Sequence, residues 1–295
     1  MAIVECVPNI SEGRRPRVVR EIARAVERTP GVRLLDYSSD VDHNRSVFTF
    51  AGPPAAVARA ALALADAAIA RIDMRKHTGA HPRIGAVDVI PFVPISGISM
   101  EECVALAKRV AKALASRHRL PVYLYAKAAS RPERVLLPDI RKPQYEGLAA
   151  VIEGDWKPDF GPARVHVKAG AAVVGARPPL IAFNMNLRSN DLRLARRIAK
   201  AVRESSGGLR AVQAIGLQLA DGRAQVSMNL LDFTTTPFST LWEAVESRAR
   251  AAGVEVDEGE LIGLLPLGAA LEVAGTKLKL RGFDRARIIE AHFLE

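Results

Sequence analysis

The chain has 295 residues, which suits one large domain or two medium-sized domains better than a single small core. Apolar residues make up 49% and charged residues 25%, a composition typical of globular proteins and not of disordered chains. The formal net charge of +10 would attract polyanions such as nucleic acid. However, lysine and arginine are spread along the chain, aromatic residues reach only 5%, and no nucleic-acid motif occurs. We therefore expect no nucleic-acid partner, and favour a solvated basic surface or a small ligand with several carboxylates.

The apolar runs and the cysteine content indicate the compartment. No apolar run is long enough to span a bilayer, and the apolar start lacks the basic opening of a signal peptide. The two cysteines, Cys6 and Cys103, both fall in predicted buried elements, so a disulfide framework is not expected. These features predict a cytoplasmic protein with no membrane contact.

The first half of the chain alternates short apolar runs with segments of helical apolar spacing. Pro53-Pro54 is typical of a helix start, and Ser99 with Glu102 forms a capping-box pattern. The predicted strands are residues 3–7, 32–37, 46–50, 87–92 and 122–125, and the predicted helices are residues 16–28, 53–72 and 99–118.

A proline- and glycine-rich run at residues 143–179 separates the two halves, so we predict subdomains at residues 1–179 and 180–295. In the second half, Asp221-Gly222 is typical of a tight hairpin turn. The predicted elements there are a strand at 180–187, a helix at 192–204, hairpin strands at 209–219 and 224–231, a helix from 236 to before 253, then a strand and a short helix. Two copies of the order βαββαβ predict an α/β (α+β) fold of two ferredoxin-like subdomains.

The loop between the second helix and the fourth strand holds the densest set of chemically useful residues. His77 and His81 are four apart, as in helical zinc sites, but Gly79 and Pro82 argue against a helix and no third ligand is near. We therefore expect no metal. His81 lies beside Arg83, which suits proton transfer near an anionic substrate. A purely structural bond to the loop backbone is the alternative for His81 and the favoured interpretation for His77.

Two polar turns leave alternatives open. The turn that contains Asp40, Asp42 and Arg45 is either a solvated connection or a source of a carboxylate that orients a histidine and an arginine that holds a substrate carboxylate. The turn after the first strand is either a ligand loop or a connection in which Ser11 caps the following helix.

Two further segments have unusual polar patterns. On the second-half strands at 181–187 and 225–230, neutral amides and a serine share the face opposite the apolar residues, which favours a lined groove or an interface over an open face. In the segment at 159–170, Arg164, His166 and Lys168 alternate, so an extended chain would place all three on one side. They would either meet an acidic ligand or keep an edge strand soluble.

Two long motifs stand out, Val-Glu-Cys-Val-Pro-Asn-Ile-Ser-Glu-Gly at residues 4–13 and His-Thr-Gly-Ala-His-Pro-Arg-Ile-Gly-Ala-Val-Asp at residues 77–88. In both motifs the chain resembles the formiminotransferase domain of formiminotransferase-cyclodeaminase. Shorter matches occur at residues 122–125, 158–162, 180–184 and 229–233. They run in order from about residue 3 to about residue 270, with weaker similarity after residue 276.

This resemblance implies a one-carbon-group transferase that moves the formimino group of N-formimino-L-glutamate to tetrahydrofolate, a co-substrate, in histidine degradation. It places the catalytic role on His81, the second histidine of the His-x-Gly-x-His motif, with no metal. It also implies a ligand groove or tunnel between the subdomains, and a homodimer. The stretch implied to contact folate is Gly161, Pro162, Ala163, Arg164, Val165, His166, Val167, Lys168, Ala169 and Gly170.

One departure affects the partner of His81. The family has an acidic residue where this chain has Ser38, so Asp40 or Asp42 is the alternative partner. No cyclodeaminase segment is recognised, so a separate cyclodeaminase is expected in the pathway. A metal-dependent amidohydrolase, which would use His77 and His81 as ligands, and a non-catalytic folate- or anion-binding module are the alternative functions.

Overall fold

A computed structural model describes residues 1–219 and 221–288. The chain divides into two compact units, Met1–Pro178 and Pro179–Glu295, and each unit has its own sheet and its own core. Across the described ranges, no helix combines the length and the apolar character that crossing a bilayer requires. Both cysteines are buried and free, as predicted.

The first unit is built on a seven-stranded sheet. Its strands are β1 (Ile3–Cys6), β2 (Asn9–Ile10), β3 (Arg33–Asp40), β4 (Arg45–Gly52), β5 (Val87–Ser96), β6 (Val122–Ala126) and β7 (Ala172–Ala176). The two short strands β1 and β2 follow each other between β4 and β5. Strand β3 pairs with the outer side of β4, whereas β7 lies parallel to both β5 and β6.

Apolar side chains fill both faces of this sheet. The helices of the unit are α1 (Pro16–Glu27), α2 (Pro54–Arg71), α3 (Met100–His118), α4 (Leu137–Ile140) and α5 (Gln144–Val151). The main core joins α1, α2 and α3 to one face of the sheet, and a smaller core joins α4 and α5 to the other. Ile90 of β5 belongs to the first core and Val89 to the second, as the alternation of side chains along a strand requires.

The segment at residues 143–179 is not irregular throughout, because it contains α5 and β7. All five residues of β7 are buried. Gly175 is required there, since an added Cβ would lie 2.4 Å from the Tyr125 ring. A short run of alanine, valine and glycine carries no alternating pattern, which is why sequence periodicity missed this strand. The first unit is therefore larger than the simple βαββαβ order predicted for it.

The second unit has the predicted order of elements. They are β8 (Ile181–Leu187), α6 (Leu192–Val202), β9 (Val212–Gln218), β10 (Ala224–Leu230), α7 (Phe238–Ala251), β11 (Val256–Ile262) and α8 (Leu267–Lys277). The strands lie in the order β11-β8-β10-β9 and every neighbouring pair is antiparallel. The ferredoxin-like description of the subdomains stays a prediction.

The amides on the polar face of this second sheet had suggested an uncharged surface, but the face also carries glutamates. Asn184 donates to Glu260 over 3.0 Å, and Asn186 donates to Glu258 over 2.9 Å. Gln225 in turn donates to the Asn186 carbonyl oxygen over 2.8 Å. The amides of β8 and β10 thus bond to carboxylates of β11, a strand whose pairing with β8 could not be read from local sequence.

Candidate active site

The loop that carries both histidines follows a 3-10 turn at Met74–Lys76 and is not helical, as Gly79 and Pro82 had predicted. It packs closely on the turn between β3 and β4. The Ala80 backbone N–H donates to the Asp42 carbonyl over 3.2 Å. At Gly79 an added Cβ would lie 2.3 Å from the His43 carbonyl oxygen, so only glycine fits this approach. The close packing fixes the loop against β4.

His77 uses both ring nitrogens inside the protein. Its Nε2 lies 2.9 Å from the Asn44 carbonyl oxygen, which can only accept, so Nε2 carries the proton. Its Nδ1 accepts from Arg83 Nε over 3.1 Å. Burial, opposed by the bond to Asn44, lowers the pKa of His77. This histidine therefore ties the loop to the turn before β4 and to Arg83.

His81 has a different environment, since its nearest polar neighbour is an arginine. Arg45 Nη1 lies 2.8 Å from His81 Nε2. A guanidinium only donates, so Nε2 must hold its lone pair toward Arg45, and the proton of the neutral ring must be on Nδ1. Burial first, and then the charges of Arg45 and Arg141, lower the pKa of His81 to about 3. The imidazole is therefore neutral at pH 7, and its Nε2 lone pair accepts the hydrogen bond from Arg45.

Two other arginines near this loop, the buried Arg83 and the half-buried Arg141, have carboxylate partners. Arg83 Nη2 lies 2.5 Å from Glu146 Oε1, and Arg141 pairs with Asp88, whose carboxylate is 1% exposed. Asp88 also accepts from the Ile84 backbone N–H over 2.9 Å. These bonds join the histidine loop to β5 and to the segment that contains α4 and α5.

The acidic residues proposed as partners of His81 do not contact it in the structure. Asp40 accepts from the His43 backbone N–H over 2.8 Å and lies 2.6 Å from His43 Nδ1. Partial burial opposes the effect, but the bonds from His43 lower the pKa of Asp40. The rings of His43 and His81 meet edge to face with their centroids 6.1 Å apart. Asp40 therefore orients a histidine, but that histidine is His43.

The polar turn predicted after the first strand follows β2, and Ser11 does not cap α1 as predicted. Ser11 donates to the Gly85 carbonyl over 2.7 Å, which anchors the strand end to the far side of the histidine loop. The carboxylate of Glu12 instead accepts the backbone N–H groups of Arg14 and Arg15, each over 2.9 Å. A shallow pocket lies between these segments, and it is lined by Ser11, His43, Asn44, Arg45, His77, His81, Arg83 and Asp88.

The segment at residues 161–170 is a turn and not an extended strand, so the predicted alignment of Arg164, His166 and Lys168 on one side is wrong. His166 and Gly170 bond to each other's backbone across the turn. Lys168 donates to the Ala70 carbonyl over 2.6 Å, and His166 Nδ1 accepts from the Ala169 backbone over 3.0 Å. Arg164 is exposed. The glycines at both ends have positive φ, which curves the backbone between them.

This turn lies against both ends of the histidine loop. The Met74 backbone N–H donates to the Lys168 carbonyl over 2.8 Å, and the Ala86 N–H donates to the Ala169 carbonyl over 2.9 Å. The structure thus brings together, within the first unit, the predicted catalytic loop and the predicted folate segment. No group of three His, Cys, Asp or Glu side chains in residues 1–219 and 221–288 is arranged to hold a metal ion.

Sequence reasoning did not identify Asp88, Arg141 or Glu146 as neighbours of the site. Asp88 and Arg141 are 53 positions apart, and Arg83 and Glu146 are 63 apart. Pairs at such separations leave no local pattern. The local signs were Asp88 inside an apolar strand and Arg141 two positions before Pro143. Both features are also common in proteins where they have no role in a site.

Two family models match the chain. One, described as the N-terminal subdomain of the formiminotransferase domain, matches residues 3–177, and the other, described as the formiminotransferase domain, matches residues 182–282. Glutamate formimidoyltransferase of Streptococcus pyogenes serotype M1 is 45% identical over 295 residues, covering 99% of both chains. The enzyme of that name from Thermoplasma acidophilum is 45% identical over 294 residues, covering 98% of this chain and 97% of its own. Formimidoyltransferase-cyclodeaminase of Rattus norvegicus is 46% identical over 280 residues, covering 92% of this chain and 52% of that protein.

Proposed function

The chain belongs to the formiminotransferase family, and we propose that it moves a formimino group from N-formimino-L-glutamate to tetrahydrofolate. The activity is that of a glutamate formimidoyltransferase, and its products are 5-formiminotetrahydrofolate and L-glutamate. Near-complete coverage of two relatives with that name supports this function. The alternatives, a metal-dependent amidohydrolase and a non-catalytic folate-binding module, gain no support from the comparisons.

The observation that carries the mechanism is the neutral ring of His81, whose Nε2 lone pair faces Arg45 in the pocket that both residues line. When the N5 amine of tetrahydrofolate attacks the carbon of the protonated amidine, a C–N bond forms, the π electrons of the C=N bond move to the imino nitrogen, and N5 becomes cationic. His81 takes the proton from N5. It then gives that proton to the glutamate nitrogen as the original C–N bond breaks. One histidine can do both because donor and acceptor nitrogens are attached to the same carbon.

The folate segment of this proposal is the turn of residues 161–170. Its bonds to Met74 and Ala86 support a binding role, because a ligand on this turn lies near the loop that carries His81. Arg164 is the cation best placed to meet the glutamyl carboxylates, since it is exposed while Lys168 is bonded to a helix carbonyl.

The remaining parts of the proposal rest on the family. The subdomains are residues 1–179 and 180–295, a division that the two matching family models support. We propose that no metal takes part and that the enzyme is a cytoplasmic homodimer. An alignment of 280 residues covers 52% of the rat formimidoyltransferase-cyclodeaminase, and the name of that relative supports a cyclodeaminase as the pathway partner in this proposal.

The direct test is to mix the purified protein with tetrahydrofolate and N-formimino-L-glutamate and to follow absorbance of the formiminofolate product. Product that depends on both substrates and on the protein is expected. A second sample dialysed against a chelator should keep its activity. Absence of transfer, with hydrolysis of formiminoglutamate to free ammonia instead, would favour the amidohydrolase alternative.

A further inference from the structure

Arg45 is a partly buried cation that forms no ion pair with a carboxylate of residues 1–219 and 221–288. It begins β4, and the only side-chain bond found for it in the described ranges is that to His81 Nε2. Its own Nε is buried and has no acceptor there, and the Nε of Arg141 is in the same condition. Burial and the charge of Arg141 both lower the pKa of Arg45. A buried donor without an acceptor is destabilising, which suggests that an acceptor arrives with a ligand.

The charge balance of the pocket supports the same conclusion. Asp88 neutralises Arg141, and Glu146 neutralises Arg83. Asp40 and Asp88 are close enough for their charges to favour the cation of Arg45, but Asp40 bonds to His43 and Asp88 pairs with Arg141. Among the described residues neither carboxylate accepts from Arg45, so its buried Nε stays unsatisfied in the pocket that this residue lines together with His81. A carboxylate is the simplest group that would balance the charge of Arg45 and accept from both Nε and the terminal nitrogens.

We infer that Arg45 binds a carboxylate of the formimino donor, and that this binding releases the lone pair of His81 for proton transfer. The inference rests on the proposed function, because it names the substrate group that the pocket receives. In the free protein the guanidinium covers Nε2, so the base is masked. A substrate carboxylate competes for the same guanidinium, and the ion pair that forms withdraws Nη1 from the imidazole.

His81 therefore acts as a base mainly when the donor substrate is bound, because Nε2 is then released from Arg45. The charged and titratable groups around His81 are Arg45 on β4, His43 with its partner Asp40 on the preceding turn, Arg83 on its own loop, and Arg141 with its partner Asp88. Of these, only Arg45 contacts the ring nitrogen, so only its displacement frees Nε2. Arg45 is accordingly a positioning residue that acts on His81 and on the substrate.

The test compares wild type with Arg45→Gln, which removes the charge, and Arg45→Lys, which keeps it without the planar fork. Binding of L-glutamate, the product that carries both carboxylates, is measured by calorimetry. We expect about tenfold or greater weakening in Arg45→Gln and a smaller loss in Arg45→Lys. The KM for formiminoglutamate should rise in parallel, whereas the KM for tetrahydrofolate should stay near that of wild type. Arg75→Gln is the matched control, since Arg75 is exposed and bonded to Asp73.

A second measurement follows the His81 ring directly, by nitrogen NMR of histidine-labelled protein at pH 7. Saturating L-glutamate should shift the Nε2 resonance of wild type, and Arg45→Gln should show that shift without ligand. Unchanged L-glutamate affinity in a folded Arg45→Gln protein, or an Nε2 resonance that ignores L-glutamate, would overturn the inference. Either result would leave the proposed function standing, provided that the wild-type protein still transfers the formimino group. A wild-type protein that shows no transfer would refute the proposed function, and the two measurements would still test whether Arg45 binds a carboxylate and covers His81 Nε2.

Discussion

Arg45 Nη1 lies 2.8 Å from His81 Nε2, so the candidate base of the site receives a hydrogen bond from a permanent cation. This contact determines the tautomer of the ring and, together with burial, keeps it unprotonated in the free protein. An unprotonated histidine is what removal of a proton from N5 requires. The contact between Arg45 and His81 therefore links the positive charge of the pocket to the proposed removal of a proton from N5.

Protein stability should depend on pH through His81. Its pKa in the folded protein is about 3, against an ordinary value of 6.5. Between these two values the unfolded chain binds a proton at His81 and the folded chain does not. The free energy of unfolding should therefore fall as the pH falls from about 6.5 toward about 3.

Replacement by glutamine removes this contribution, so His81→Gln should lose stability less steeply over the same pH window. Urea unfolding of both proteins at pH 7, 5.5 and 4.5 measures the slopes. Parallel slopes for wild type and His81→Gln would show that burial and Arg45 do not depress the pKa of this histidine.

Folate affinity should depend on Arg164 through the negative charge of the ligand tail. Reversing this exposed cation in Arg164→Glu should weaken binding of a polyglutamylated folate, and the effect should shrink as salt is raised because exposed charge pairs are screened. Binding titrations at low and high ionic strength measure the difference. Equal affinity of both proteins at low salt would remove Arg164 from the folate site.

The equivalent substitution at Lys168 is less direct. Lys168→Glu should also weaken folate binding, as the family segment implies, but it breaks the bond of this lysine to the Ala70 carbonyl. A melting temperature measured beside the affinity separates the two effects. If Lys168→Glu loses affinity while the melting temperature is unchanged, the lysine contributes to binding itself.

The ion pair before the folate segment should contribute strongly to stability. Arg134 and Asp159 have side-chain exposures of only 5% and 9%, and Asp159 also accepts from the Leu124 backbone N–H over 2.8 Å. Asp159→Asn leaves the buried guanidinium without its counter-charge. We expect a loss of about 3–5 kcal/mol in the free energy of unfolding, the usual cost of breaking a buried pair.

Denaturant unfolding measures that loss, and Asp155→Asn is the control because Asp155 is exposed in the same segment. The control should change the free energy of unfolding by less than about 0.5 kcal/mol, as is usual for surface positions. Equal effects from both substitutions would show that the Arg134 pair adds nothing beyond a surface charge.

Sequence alone singled out the loop of His77 and His81 as the candidate active site because several informative residues are adjacent there. Gly79 and Pro82 predicted a non-helical loop, because each residue acts on the backbone conformation of its own segment. Arg45 was also singled out, as a residue that would hold a substrate carboxylate. Its contact with His81 was not predicted, because the two are 36 positions apart and meet only when the hairpin of β3 and β4 packs on the loop.

Other features depended on tertiary structure and were missed or misread. The alternation of Arg164, His166 and Lys168 is a pattern typical of an edge strand. In the structure, however, positive φ at Gly161 and Gly170 turns the backbone of this segment. Strand β7 had no recognisable period because both faces of it are buried. Asp88 and Glu146 pair with arginines that are far from them along the chain, so these ion pairs could not be read from local sequence.

The measurement that tests the central proposal most directly is the turnover of His81→Ala beside His77→Ala, with both substrates saturating. If His81 moves the proton between the two nitrogens, its loss should lower turnover by about two to four orders of magnitude, the usual contribution of a general acid–base group. Folate binding and the fold should largely survive. His77→Ala should cost less, because His77 ties the loop to Asn44 and Arg83. Turnover of His81→Ala within tenfold of wild type, or equal losses from both substitutions with release of bound zinc, would contradict the account.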